Sequence, residues 1–122
     1  MSPARDSRAN ARRAADAARD KRARDVLVLD LQALSSLADY FVICSAQSTT
    51  HLDTVAEAVN QALRADGVRL RHREGTATSG WLLLDYGDLV VHVFLEDTRA
   101  FYGLERLWGD APALSVEGDR GV

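Results

Sequence analysis

Two strand-length apolar runs, Trp81–Tyr86 and Leu89–Leu95, stand two residues apart, and no other stretch constrains the fold as much. The Gly87-Asp88 step between them is a tight-turn dipeptide, so the pair reads as an antiparallel hairpin. The two-residue period of a strand puts Trp81, Leu83 and Asp85 on one face of the first run, and Val90, His92 and Phe94 on one face of the second. An aromatic helix is expected from about Thr98 to Trp108. Its apolar face is Phe101, Leu104, Leu107 and Trp108, and it ends at Gly109 ahead of Pro112. From Gly80 to Gly109 no nucleophile stands beside a base. So much apolar and aromatic surface without reactive groups points to a binding module.

Two further runs, Asp25–Leu31 and Tyr40–Cys44, are continuously apolar, as strands buried on both faces are. Ala33–Asp39 is a short connection between them. A helix is expected from Ser48, Thr49 and Thr50, with Thr50 and Asp53 at capping-box spacing and Leu52, Val55, Ala56, Val59 and Leu63 as its stripe. Gly67 is placed to end it in the left-handed conformation that a Cβ disfavours. Val68–Arg73 alternates apolar and basic residues, which predicts an edge strand blunted by Arg69, Arg71 and Arg73. Ala11, Ala14, Ala15 and Ala18 repeat at helical spacing in an otherwise basic segment, and so small a stripe predicts light packing.

The sum is an α/β fold with a mixed sheet of about five strands and three helices. Three helices, one of them alanine-thin, leave part of such a sheet uncovered. A chain of 122 residues suffices for a single domain that needs neither disulfide nor metal to fold. Residues 1–109 are assigned to that domain, with the basic helix at its start, and residues 110–122 to a flexible tail. No apolar run reaches the ~18 residues of a membrane span, and the charged start does not read as a signal peptide. Cys44, the single cysteine, fits a reducing compartment, so a cytoplasmic protein is expected.

Charge is divided unevenly. Residues 1–24 hold eight basic and three acidic groups, a net of +5; residues 25–122 hold seven and fifteen, a net of −8. An acidic body repels bare nucleic acid and attracts a basic protein. The basic segment has two readings, a solvated helix with its tail or an arm that contacts RNA.

Three constellations invite a chemical reading. Cys44 and His92 could form a thiol–base pair, but Cys44 stands inside an apolar strand, where cysteine is a small buried hydrophobe. Asp85 and Asp88 with Ser45 and Ser48 could hold magnesium, as in a small nucleotidyltransferase, although Asp88 is a turn residue and no glycine-rich loop precedes the helix. His51, His72 and His92 lack metal-ligand spacing. His92 interrupts a valine-rich strand and needs a hydrogen-bond partner, for which Asp85 is the neighbouring choice. Trp81, Tyr102 and Trp108 are the aromatic anchors available for a partner.

The quoted residues form a longer pattern: Ser35-Ser36, Asp39-Tyr40, Val42-Ile43-Cys44, Ser48 and His51; then Trp81, Asp85, Gly87-Asp88 and Val91-His92-Val93; then Arg99, Tyr102, Leu104-Glu105 and Leu107-Trp108-Gly109. This pattern, from about residue 10 to Gly109, resembles the ribosomal silencing factor family RsfS, also called Iojap. The resemblance implies a nucleotidyltransferase-like fold without the catalytic residues and without a cofactor. It further implies a non-enzymatic regulator that binds the fourteenth protein of the large ribosomal subunit, blocks subunit joining and lowers translation when nutrients are scarce. Family members often form homodimers when free. Carried onto this chain, the resemblance makes Trp81 the hydrophobic anchor and Asp85 the acidic partner of a basic side chain. Leu83, Tyr86 and His92 would surround them, and Tyr102 and Glu105 would add to the patch or hold the last helix. Two features lie outside the pattern: Ala46, where the family usually has glycine, and the arginine-rich start.

Overall fold

The computed structural model describes residues 6–114; residues 1–5 and 115–122 lie outside it. In chain order the elements are α1 (Ser7–Asp20), β1 (Arg24–Asp30), β2 (Tyr40–Ala46), α2 (Thr49–Ala65), β3 (His72–Thr76), β4 (Trp81–Asp85), β5 (Leu89–Leu95), α3 (Glu96–Tyr102), α4 (Leu104–Leu107) and β6 (Ala113–Leu114). The strands make one mixed sheet in the order β3-β4-β5-β2-β1-β6. β2 and β5 run parallel at its centre, and the remaining pairs are antiparallel.

The α/β class and the mixed sheet stand as read from sequence, with one strand more than expected. Ala113 and Leu114, inside the stretch assigned to a tail, pair with Leu29 and Val28. The Pro112 carbonyl accepts from the Asp30 amide at 2.9 Å beside them. Residues 115–122 of that expected tail are outside the described ones.

Both long helices lie on one face of the sheet. Asp6 caps α1 by accepting from the Ala9 amide, and all four alanines of its stripe are wholly buried. The light packing expected of α1 is therefore corrected: methyl-sized side chains let it approach α2 and the sheet closely, and close approach maximises dispersion contacts. The α2 stripe of Leu52, Val55, Ala56, Val59 and Leu63 is buried as its spacing predicts. Its cap is Ser48, whose Oγ accepts from the His51 amide at 3.0 Å, rather than the Thr50–Asp53 pair. Gly67 takes φ 82°, and the Gly67 and Val68 amides donate to the carbonyls of Arg64 and Leu63, a Schellman ending.

That ending explains why the edge strand starts later than predicted. Val68 is buried because it closes the helix end, so its apolar side chain does not mark a strand. Pairing with β4 is regular only over the polar stretch His72–Thr76. The last helix differs too. Gly103 adopts the left-handed conformation (φ 58°, ψ 40°) and breaks the expected single helix into α3 and α4. The break turns Leu104 and Trp108 onto the sheet, while Phe101 and Leu107 remain 80% and 74% exposed. The four residues read as one apolar face are thus divided between core and surface.

The sheet consequently has two unequal cores. The larger, under α1 and α2, includes Val28, Val42, Cys44, Leu82, Leu84, Leu89, Val91 and Val93. The smaller, on the opposite face, is built from Leu29, Leu31, Ala38, Phe41, Ile43 and Phe94, with Trp81, Val90, Leu104 and Trp108 partly buried around it.

A candidate protein-binding surface on the thinly covered face

Strand period decides which candidate residues share the thinly covered face. Along β4, Trp81, Leu83 and Asp85 are half-buried while Leu82 and Leu84 are buried under the helices. Opposite them, Phe94 pairs with Trp81, His92 with Leu83 and Val90 with Asp85. On β3, Thr76, Glu74 and His72 pair with Trp81, Leu83 and Asp85.

An aromatic chain crosses this face. Trp81 stacks on Phe94 at 4.9 Å between ring centroids and meets Tyr102 of α3 at 4.8 Å. His92 stands edge-on to Phe41 at 4.7 Å, and Phe41 meets Trp108 at 5.9 Å. Trp108 thus closes the smaller core, whereas Trp81 and Tyr102 keep surface toward solvent. These contacts fix the Trp81 ring in place, and an ordered ring loses little entropy when a partner covers it.

His92 supports Trp81 from beneath. It is 3% exposed, and its Nδ1 accepts from the Trp81 indole N–H at 3.2 Å. Its Nε2 has no protein hydrogen-bond partner among the described residues. Burial lowers the His92 pKa from 6.5 to about 4, so the ring is neutral at pH 7. The expected His92–Asp85 bond is absent: Asp85 pairs with Val90, two residues away on β5, and its Oδ1 accepts from the Gly87 amide at 2.7 Å in the turn.

Two candidates are not brought to the patch. Tyr86 points to the helix side, where its hydroxyl donates to Asn60 Oδ1 of α2 at 2.8 Å and burial raises its pKa. Glu105 is held by Arg99, whose Nε donates to Glu105 Oε2 at 2.8 Å. Arg99 Nη1 also donates to the Asp25 carbonyl and to Ser45 Oγ, at 2.8 and 2.9 Å. This clamp fastens α3 and α4 to the ends of β1 and β2. Glu74 also lies on this face, level with Leu83, beyond the end of the expected edge strand Val68–Arg73. A polar run ending in Thr76, five residues before Trp81, was the signal available.

The chemical alternatives separate in space. Cys44 belongs to the helix-side core and His92 to the opposite face, so the sheet lies between them. The Cys44 thiol is fully buried, and burial pushes its pKa up to about 12. Asp88 stands by Tyr40 at one end of β2, and Ser45 and Ser48 lie at the other, roughly 15–20 Å away at the strand rise per residue. Those four residues therefore do not form a magnesium site. His51 bridges two backbones, its Nδ1 accepting from the Gln47 amide and its Nε2 lying 2.7 Å from the Lys21 carbonyl. In the basic segment Arg13 pairs with Asp66, Arg19 with Asp16 and Arg24 with Glu96. These ion pairs fit the solvated-helix reading. Ala46 ends β2 with its methyl buried in the larger core. Among the described residues no helix is long and apolar enough to cross a membrane.

The fold and face can be set against known proteins. The family model described as "Ribosomal silencing factor during starvation" matches residues 4–121. The ribosomal silencing factor RsfS of Bacillus subtilis is 42% identical over 104 residues, covering 85% of this chain and 88% of that protein. The mouse protein named mitochondrial assembly of ribosomal large subunit protein 1 is 34% identical over 93 residues, covering 74% of this chain and 41% of its own. A crystal structure of a Chromobacterium violaceum protein superposes with a TM-score of 0.80 at 32% identity, covering 84% of this chain and 85% of that one.

Proposed function

The chain belongs to the ribosomal silencing factor family RsfS, and from that membership we propose that it docks on the large ribosomal subunit through the fourteenth large-subunit protein. Bound there, it sterically blocks subunit association and represses translation when nutrients are limiting. The action is occupancy of a surface in the cytoplasm, with no catalytic residue and no cofactor. In the free protein the same face meets a second copy in a homodimer.

The observation that carries the reading is the half-buried Trp81, held by Phe94, Tyr102 and His92 on the face that lacks long helices. Trp81 and Leu83 supply apolar contact, and Asp85 keeps one carboxylate oxygen clear of its turn bond for a basic side chain. Tyr102 forms the rim. His92 contributes by fixing the indole, while Tyr86 and Glu105 act inside the fold. The Asp85 carboxylate on this face suits a basic ribosomal protein, and charge of this kind sets approach and register more than affinity.

Co-sedimentation with purified large subunits tests the proposal. The intact protein should pellet with them and prevent association with small subunits. Trp81→Ala should cost ~2 kcal/mol or more, the scale of an interface hot spot, while the melting curve shows a folded protein. A folded Trp81→Ala variant that binds as tightly as the intact protein would remove the anchor assignment. Failure of the intact protein to bind would remove the function.

A further inference from the structure

Beside the anchor lies a small cavity of about 190 Å³ lined by Glu74, Gly75, Ser79, Trp81, Leu83 and Tyr102. It is too small for a cofactor or drug-sized ligand, whose sites run roughly 300–1,000 Å³. It matches about six water volumes, the room one long side chain takes.

Its walls are chemically uneven. Trp81 and Tyr102 are tilted 49° to each other at 4.8 Å and form one side. Leu83 and the Cα of Gly75, which carries no side chain, supply the aliphatic part of the lining. A Cβ at Gly75 would sit 2.1 Å from the Trp81 carbonyl oxygen, so only glycine leaves the strands this close. The Ser79 hydroxyl is already bonded to the Thr76 and Trp81 carbonyls. Glu74 is the charged residue of the lining, level with Leu83 across the β3–β4 pair. His72 Nε2 lies 3.2 Å from Glu74 Oε1, and both side chains are more than half exposed, so a guanidinium or ammonium group can displace the imidazole. Arg73 pairs with Leu84 and belongs to the other face.

We infer that this cavity receives one arginine or lysine side chain of the docked basic partner. The aliphatic stem lies on Leu83 and Gly75, the cation faces the Trp81 and Tyr102 rings, and the Glu74 carboxylate closes the mouth. Charge complementarity selects this occupant: the uncovered face sets an aromatic wall beside the Glu74 carboxylate, with Asp85 farther along the same face. The inference rests on the docking proposed above and adds Glu74 and a defined guest to it.

The test measures affinity for purified large subunits at two salt concentrations with the full-length chain. Glu74→Gln should bind about tenfold more weakly and lose part of the salt dependence. Glu57→Gln, an exposed acidic position on α2, should bind like the intact protein. Tyr102→Leu should lose more affinity than Tyr102→Phe, which keeps a ring face toward the cation. Full affinity in Glu74→Gln overturns the cavity assignment and leaves the docking reading intact. Equal affinity in Tyr102→Leu and Tyr102→Phe indicates an apolar guest and overturns the cation. No binding by the intact chain overturns the docking and the inference together. Glu74 is exposed, so the folded state survives its replacement, and a melting curve verifies this.

Discussion

Replacing His92 with leucine should make the protein more resistant to acid, and the size of the effect follows from the site. The folded ring takes up a proton only near pH 4, because burial penalises the imidazolium; in the unfolded chain it does so near 6.5. Between those values the unfolded state binds more protons than the folded one, so stability falls as pH drops. The contribution is whole above about pH 6.5 and is lost progressively toward pH 4. From pH 7 to pH 5 the loss attributable to His92 comes to ~2 kcal/mol. Leucine is close in size, cannot titrate, and removes the buried Nε2–H that has no protein partner, at the cost of the Trp81 hydrogen bond. At pH 7 the two proteins should therefore differ little. Urea unfolding followed by tryptophan fluorescence at pH 7 and pH 5 reads the difference directly. With m of about 1–3 kcal/mol/M, the leucine variant's midpoint should gain roughly 1 M over the intact protein on going to pH 5. Parallel pH profiles for the two proteins would refute the assignment of a buried, neutral His92.

Arg99→Met should cost ~2–4 kcal/mol, since it strands Glu105 and the buried Ser45 hydroxyl together; Arg99→Lys should recover little, because one ammonium cannot reproduce the guanidinium fork. Thermal melts give the stability, and near-UV dichroism should report loosening of Tyr102 from Trp81. Cys44 should resist thiol reagents at pH 8 in the native state and react once per chain in denaturant, given a thiol held at about 12 inside the core. Rapid native labelling would contradict that burial. Gly75→Ala should destabilise the β3–β4 edge by roughly 1–3 kcal/mol for its positive φ alone, with the clash against Trp81 in addition. Hydrogen exchange should accelerate at the β3–β4 amides and stay slow in β2 and β5.

Local chemistry made much of this protein legible in its sequence. The apolar runs became β1, β2, β4 and β5, because their length and composition leave no other way to bury them. The α2 stripe and Gly67 fixed a helix and its end through side-chain spacing and one backbone conformation. Period two alone put Trp81, Leu83 and Asp85 on one face, and the same rule sends Tyr86 to the other. Tertiary structure decided the rest. Which face receives the helices depends on the crossover between the parallel strands β2 and β5 and on how closely an alanine stripe can seat, neither of which is a local property. The edge strand is polar throughout and is defined by its hydrogen bonds to β4, so pattern pointed instead to Val68 and Leu70, whose apolar side chains serve the helix end and the core. Gly103 could have ended a helix or sat within one; contact of Leu104 and Trp108 with the smaller core selects the break. Sequence determined β1, β2, β4 and β5 and which of their residues share a face, because these follow from residue type and spacing. Only the assembled sheet set Glu74 level with Leu83 and left that face thinly covered, because both depend on backbone pairing and packing rather than on residue type and spacing.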